Sequence, residues 1–254
     1  MNFIFDLDGT LSFDRFSIDG KIKEVLLSAE DFGHEVSFAS ARSYRDCVDM
    51  LGDDLAQKRV IGLNGGLVYE EGQLILEYNL DKEAYHDVLS YCQTYNLPYF
   101  VDNTFNYASD NEEYFPFIES VDPLNLAEKV PADQLEHPIK MVIYMGNHEE
   151  LLADLSYHIK STDIIDLSYH EEEKCLYLNP CRVSKASTIS EIFEEPFIAF
   201  GNDKNDIEMF KLALYSIQIG GFTYLKPYAD EQVDADSQLV ATKIAELFQE
   251  FQGK

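Results

Sequence analysis

Near its start the chain reads Phe3-Ile4-Phe5-Asp6-Leu7-Asp8-Gly9-Thr10-Leu11, an apolar run that ends in two carboxylates separated by one residue. A charge is costly to bury inside a strand, so Asp6 and Asp8 belong where the strand meets solvent. If the strand continues through Leu7, its period of two turns both side chains to the same face. Two carboxylates that close repel unless a cation or a proton lies between them. Hard oxygen ligands of this kind suit Mg²⁺. The plainer alternative is a strand that runs into an Asp-Gly turn with both carboxylates solvated. Deciding between them requires the rest of the chain.

The elements that would position this pair alternate. Strand 2–6 is followed by a loop, then by a helix over 21–31 with apolar residues at Ile22, Val25, Leu26 and Ala29, stopped by Gly33. A strand at 35–39, a helix at 43–51 and a strand at 60–63 come next, the last ending in Asn64-Gly65-Gly66. Strands that alternate with helices predict a parallel sheet with helical crossovers. After Leu67 the pattern changes. A hairpin (67–70 and 74–76), a helix (81–95), strands at 98–102 and 140–144, a helix (148–160) and a strand pair (164–169 and 175–178) surround an irregular, aromatic and acidic stretch at 103–138. The alternation resumes with a helix at 184–192, a strand at 196–200, a polar loop 201–206, a helix to 214, a strand at 216–219 and a closing helix at 237–251. The expectation is an α/β, Rossmann-like parallel-sheet core made of 1–78 and 184–254, interrupted by an α+β domain at 79–183.

The 254 residues hold 19 Lys and Arg against 47 Asp and Glu, a formal charge of −28, which repels nucleic acid and anionic lipid. It repels phosphate too, so an anion site here must be built locally from a few cations, helix N-termini and a metal. Cys47, Cys92, Cys175 and Cys181 show neither a Cys-x-x-Cys pair nor zinc-ligand spacing, and read as reduced residues of a cytoplasmic protein. No basic leader with a long apolar segment follows Met1, and no apolar run is long enough to span a bilayer. Neither nucleic acid nor membrane is an expected partner, and the sequence is silent on oligomeric state.

In a doubly wound sheet functional groups collect beyond the carboxyl ends of the strands. Here those positions hold Asp6 and Asp8, then Ser40, then Asn64, then Asn202, Asp203, Asn205 and Asp206, while Lys185 opens the helix that returns to the core. That inventory suits phosphate handling by a metal-assisted carboxylate nucleophile. These segments resemble the haloacid dehalogenase-like (HAD-like) hydrolase superfamily. Asp6-Leu7-Asp8-Gly9-Thr10 matches its first motif, Ala39-Ser40-Ala41-Arg42 its second, Val183-Ser184-Lys185 its third and Gly201-Asn202-Asp203-Lys204-Asn205-Asp206 its fourth. The Asn64-Gly65-Gly66 turn and the position of the insert resemble the Cof-type branch with a type IIB cap.

The resemblance implies a Mg²⁺-dependent phosphatase of a small-molecule phosphate ester, a phosphorylated sugar first. It implies Asp6 as the nucleophile and Asp8 as general acid and then base. Ser40 and Lys185 would bind the phosphoryl group, and Asp6, Asp8, Asn202, Asp203 and Asp206 form the candidate metal set. Arg42, Asn64 and Asn205 are candidates for the substrate side, with Arg42 receiving a second anionic group or else pairing with Asp46 one helical turn on. The chain departs from the pattern in four places. It has Ser40 for Thr and Ala41 for Gly. Asn202 stands for the usual Asp, so either its amide oxygen or Asp203 completes the metal site. Gly221-Phe222 stands for Asn-Ala. A phosphomutase, or a phospho-ligand binder that turns over weakly, would use the same parts.

Overall fold

The computed structural model describes residues 1–160 and 164–253. In chain order its elements are β1 (Asn2–Phe5), α1 (Gly20–Leu27), β2 (Glu35–Ala39), α2 (Tyr44–Leu55), β3 (Arg59–Gly62), β4 (Leu67–Glu70) and β5 (Gln73–Glu77). Then come α3 (Lys82–Tyr95), β6 (Tyr99–Asp102), β7 (Tyr107–Asp110), β8 (Lys140–Tyr144), α4 (Leu152–Lys160), β9 (Ile165–His170) and β10 (Cys175–Pro180). The last are α5 (Lys185–Ile192), β11 (Phe197–Gly201), α6 (Ile207–Leu212), β12 (Tyr215–Ile219), β13 (Glu231–Val233) and α7 (Ser237–Glu250). The chain divides into two compact units, Met1–Ile75 with Ser184–Lys254, and Leu76–Val183.

Every residue of β1 is buried, as a central strand covered on both faces requires. It lies in an eight-stranded sheet of order β13-β12-β11-β1-β2-β3-β4-β5. From β13 to β3 all neighbours are parallel, and β3–β4 is antiparallel. The chain winds from β1 through β2 to β3 on one side, and from β11 through β12 to β13 on the other. The winding therefore reverses at β1, which opens a crevice at the carboxyl ends of β1 and its neighbours. α1 packs on α2 and α7, and α5 on α6. Asp19, Ser43, Ser184 and Asp236 cap α1, α2, α5 and α7 through side-chain oxygens.

Several boundaries differ from those the sequence predicts, among them α2, which runs on to Leu55. The first helix ends at Leu27 and tightens into a 3₁₀ turn, Ser28–Phe32, before Gly33 stops it in the left-handed region. The short edge strand β13, Glu231-Gln232-Val233, has no apolar alternation to announce it and forms through backbone pairing to Ile217–Ile219.

The second unit is a five-stranded antiparallel sheet of order β7-β6-β8-β10-β9. Alternation sorts its side chains. Val101, Met141, Ile143, Leu176 and Leu178 pack with Tyr85, Val88, Leu89 and Cys92 of α3 and Leu155 and Ile159 of α4. The other set, Phe100 and Val142 with Cys175, holds Phe115 and the rings of Tyr107, Phe117, Tyr144 and Tyr177. Much of the aromatic content of 103–138 is thus packing, and this stretch also supplies β7. Among the described residues, all four cysteines are free, and no helix is long and apolar enough to cross a membrane.

Candidate active site

Asp6 is the first residue beyond β1. Its N–H donates to the Phe200 carbonyl (2.9 Å), continuing the ladder with β11 and fixing the carboxylate at the rim of the crevice. Oδ1 accepts from Lys185 Nζ at 2.5 Å, and Oδ2 from the buried Thr10 hydroxyl at 2.9 Å. The same ammonium donates to Asp206 Oδ1 at 2.9 Å. Asp206 Oδ2 accepts from the N–H groups of Asn202 (3.0 Å) and Asp203 (3.1 Å). Asp6, Lys185 and Asp206 are 4%, 1% and 0% exposed. Two carboxylates share one cation, so the buried array carries a surplus negative charge. Burial pushes the Asp6 carboxyl up to about 7; Lys185 opposes this, while Asp206 and Asp8 add to it. Burial works against the Lys185 charge, but Asp206 and Asp6 more than offset it and hold the ammonium above its ordinary range.

The local sequence builds this array through close approaches. A Cβ on Gly201, the last residue of β11, would lie 2.7 Å from Asp206 Cγ. Lys185 is placed by the first turn of α5, where Ser184 and Ser187 bond reciprocally. That turn leans on the Asn64-Gly65-Gly66 segment. Thr188 Oγ1 donates to the Gly65 carbonyl (2.9 Å), and a Cβ on Gly65 would sit 2.3 Å from the Ser184 carbonyl oxygen. Gly65 also has φ of 103°, which side-chain-bearing residues rarely adopt. Gly65→Ala is therefore expected to shift Lys185 and to destabilise the protein by about 1–3 kcal/mol. Thermal unfolding of the purified variant checks this, and an unchanged midpoint contradicts it.

Ser40 and Asp8 lie beyond the adjacent ends of β2 and β1. Ser40 is fully buried, and its Oγ accepts from the Arg42 N–H at 3.1 Å. Asp8 is more open, its side chain 35% exposed, and it is held by Arg42. The Arg42 fork is taken by Asp8 and not by Asp46, which lies 3.1 Å from Arg45 Nε. Asn64 sits in the left-handed region, and its Oδ1 accepts from Asn205 Nδ2 at 3.2 Å. The structure therefore joins Asn64 and Asn205 to each other.

The fourth segment separates its carboxylates. Asp203 is exposed, and its side chain accepts from the Lys204 N–H as a cap, turned to a local task outside the array. Asp206 spends both oxygens inside it. Asn202 is the residue directed inward, its Oδ1 lying 3.4 Å from the Thr10 hydroxyl that also faces Asp6. Gly9, at φ of 78°, makes room for this amide; a Cβ there would meet Asn202 Nδ2 at 2.1 Å.

Among the described residues, no three His, Cys, Asp or Glu side chains converge to hold a metal by themselves. The donor set nonetheless fits a small hard cation. Asp6 Oδ2 and Asn202 Oδ1 both face one hydroxyl, whose single proton serves only one of them, beside an array with surplus negative charge. Thr10 belongs to the first motif, and the turn after β1, closed by its N–H on the Leu7 carbonyl, is what aims its hydroxyl at Asp6.

Comparison with known proteins shows the family and the fold. A family model described as haloacid dehalogenase-like hydrolase matches residues 3–238, nearly the whole chain. The chain belongs to that family. Phosphatase YwpJ of Bacillus subtilis (strain 168) is 29% identical over 95 residues, 37% of this chain, and the match spans only about a third (33%) of that relative's length. A haloacid dehalogenase-like hydrolase from Bacteroides thetaiotaomicron superposes with a TM-score of 0.83 at 22% identity, covering 97% of this chain and 98% of that one. The HAD subclass IIB sugar phosphatase BT4131 superposes with a TM-score of 0.74 at 19% identity, again over 97% and 98%. At these identities the structural likeness speaks to the fold, a HAD-like α/β sheet with an inserted antiparallel domain.

Proposed function

We propose that this member of the family is a Mg²⁺-dependent phosphomonoester hydrolase, acting on a small phosphorylated metabolite through an aspartyl-phosphate on Asp6. A sugar phosphate is the first substrate class to test, in keeping with the sugar phosphatase among its structural neighbours. The observation that carries the reading is the Asp6–Lys185–Asp206 array. It presents one carboxylate at the rim of the crevice, holds it with a buried ammonium, and braces that ammonium from behind. Such a carboxylate attacks phosphorus in line while Lys185 offsets the charge that gathers on the phosphoryl oxygens. Ser40 contributes its hydroxyl to those oxygens. Asp8 gives a proton to the leaving oxygen and then takes one from the water that cleaves the aspartyl-phosphate.

Asp6, Asn202 and the Asp8 backbone carbonyl would hold Mg²⁺, with Asp203 outside the set and Asp206 acting through Lys185. The chemistry that bound Mg²⁺ supplies is neutralisation of the repulsion between carboxylate and phosphate. Asn64 and Asn205 act by tying the turn before β4 to the loop after β11. The four unpaired cysteines suit a reducing cytoplasm. The direct test is phosphate release from a panel of sugar, nucleotide and cofactor phosphates with Mg²⁺. Turnover of at least one member, lost on chelation, is expected; no release from any of them contradicts the reading.

Two further outcomes are expected from the donor set. Asn202→Asp adds a negative charge and is expected to tighten Mg²⁺ binding about tenfold, because ligand charge sets the affinity of such sites. Calorimetric titration measures it, and an unchanged affinity places the ion elsewhere. Because burial pushes the Asp6 carboxyl up to about 7, Mg²⁺ competes with a proton below that pH. Affinity is expected to weaken up to about tenfold per pH unit below about 7 and to level off above it.

A further inference from the structure

The proposed chemistry needs Asp8 to pass a proton, and in the structure each of its carboxylate oxygens accepts one hydrogen bond from Arg42, which leaves a second lone pair on each. Arg42 Nε donates to Oδ2 at 2.8 Å, and an Arg42 terminal nitrogen donates to Oδ1 at 2.6 Å. That terminal nitrogen also donates to the Arg15 carbonyl at 2.6 Å. The Arg42 side chain is only 11% exposed, and its backbone is held as well. Its N–H donates to Ser40 Oγ, and its carbonyl accepts from the Leu63 N–H at 2.7 Å. The Arg15 carbonyl is equally fixed. Asp14 accepts from the N–H groups of Phe16 and Ser17 and from the hydroxyls of Ser17 and Ser12, and Arg15 itself sits at φ of 69°.

We infer that Arg42 is the positioning residue of Asp8, a fork that fixes its carboxylate against the loop 12–17, and not a subsite for a second anion on the substrate. The inference rests on the proton-transfer role proposed for Asp8. A third-exposed aspartate is otherwise free to rotate, and a planar guanidinium bonded to both oxygens selects one orientation. A substrate anion would have to displace both Asp8 and the Arg15 carbonyl to reach the same nitrogens. Positioning acts on the chemical steps, whereas an anion subsite acts on binding. The expected signature is therefore a loss in kcat with KM nearly kept.

The test uses the full chain with Mg²⁺ and p-nitrophenyl phosphate, which carries no second anion. Arg42→Ala is expected to lower kcat by about tenfold to a hundredfold, within the range of a misplaced acid–base group, with KM changed less than about threefold. Arg42→Lys keeps the charge but not the fork, and should fall between Arg42→Ala and wild type. Added guanidinium ion should restore part of the Arg42→Ala rate, a response that lost folding would not give. In the Asp8→Asn background, Arg42→Ala should cost little more and guanidinium should do nothing. A kcat for Arg42→Ala equal to that of wild type on this substrate, or losses at Asp8 and Arg42 that multiply in full, overturns the inference while the proposed function stands. If wild type shows no Asp6-dependent phosphate release, the proposed function fails and the inference falls with it.

Discussion

Asp6→Asn is expected to abolish phosphate release, by about four orders of magnitude or more, while the protein folds as well as wild type or better. Loss of activity follows from loss of the proposed nucleophile: an amide neither attacks phosphorus nor forms an acyl phosphate. Retained stability follows from the buried charge. Asp6 and Asp206 share one ammonium, so removing one carboxylate leaves a balanced Lys185–Asp206 pair and removes a like-charge repulsion. The pH dependence has a definite sign. The folded protein holds the Asp6 proton up to about 7, against an ordinary value near 3.8, so between these values the folded state binds more protons than the unfolded. In metal-free buffer, wild type therefore loses stability from this group as pH rises from about 4 to about 7. The advantage of Asp6→Asn over wild type should be absent at pH 4, grow through that window and be constant above it. Thermal midpoints of both proteins in chelator across pH check this. An advantage that shrinks as pH rises contradicts the burial argument.

Lys185→Met is expected to be the most damaging of the site substitutions for folding. It leaves two buried carboxylates facing each other with their shared counter-ion gone. Breaking a buried ionic cluster by removing one partner costs about 3–5 kcal/mol, and for a chain of this size that is a fall in the thermal midpoint of roughly 6–20 °C. Phosphate release should vanish as well, because the phosphoryl group loses its buried cation. Activity and stability separate in the double variant. Asp6→Asn added to Lys185→Met removes one of the stranded carboxylates, so it should recover part of the lost stability and none of the activity. Equal midpoints for the single and double variants would place the cost in lost packing of the lysine stem, not in charge.

Much of the proposed site was legible in the sequence because its parts lie just beyond strand ends or, for Lys185, at a capped helix start, and both are marked. The apolar run at Phe3-Ile4-Phe5, the turn at Asn64-Gly65-Gly66 and the Ser184 cap could each be read locally. Parallel topology then gathers the loops beyond these strand ends at one edge of the sheet. Two relations were hidden for one physical reason: they depend on which neighbours a parallel sheet sets side by side. Arg42 and Asp8 are 34 residues apart, so no helical or strand period relates them; they meet because Phe5 pairs with Phe38 and both chains continue past the sheet edge. Local spacing instead offered Asp46, which sits against Arg45. Asn202 and Asp203 could not be ranked from the sequence, since one residue of register exchanges inward for outward. The pairing of β11 with β1, and the two N–H bonds to Asp206, direct Asn202 inward and leave Asp203 at the surface.

The central claim is that Asp6 becomes phosphorylated during turnover. Rapid acid quench of the full chain during steady-state turnover of an accepted phosphate ester with Mg²⁺, followed by peptide mass spectrometry, reads it directly. The expected result is a hydroxylamine-labile phosphoryl group on the peptide that carries Asp6, accumulating further when Asp8→Asn slows its hydrolysis. Phosphate release with no such adduct, or an adduct on a peptide without Asp6, would contradict it.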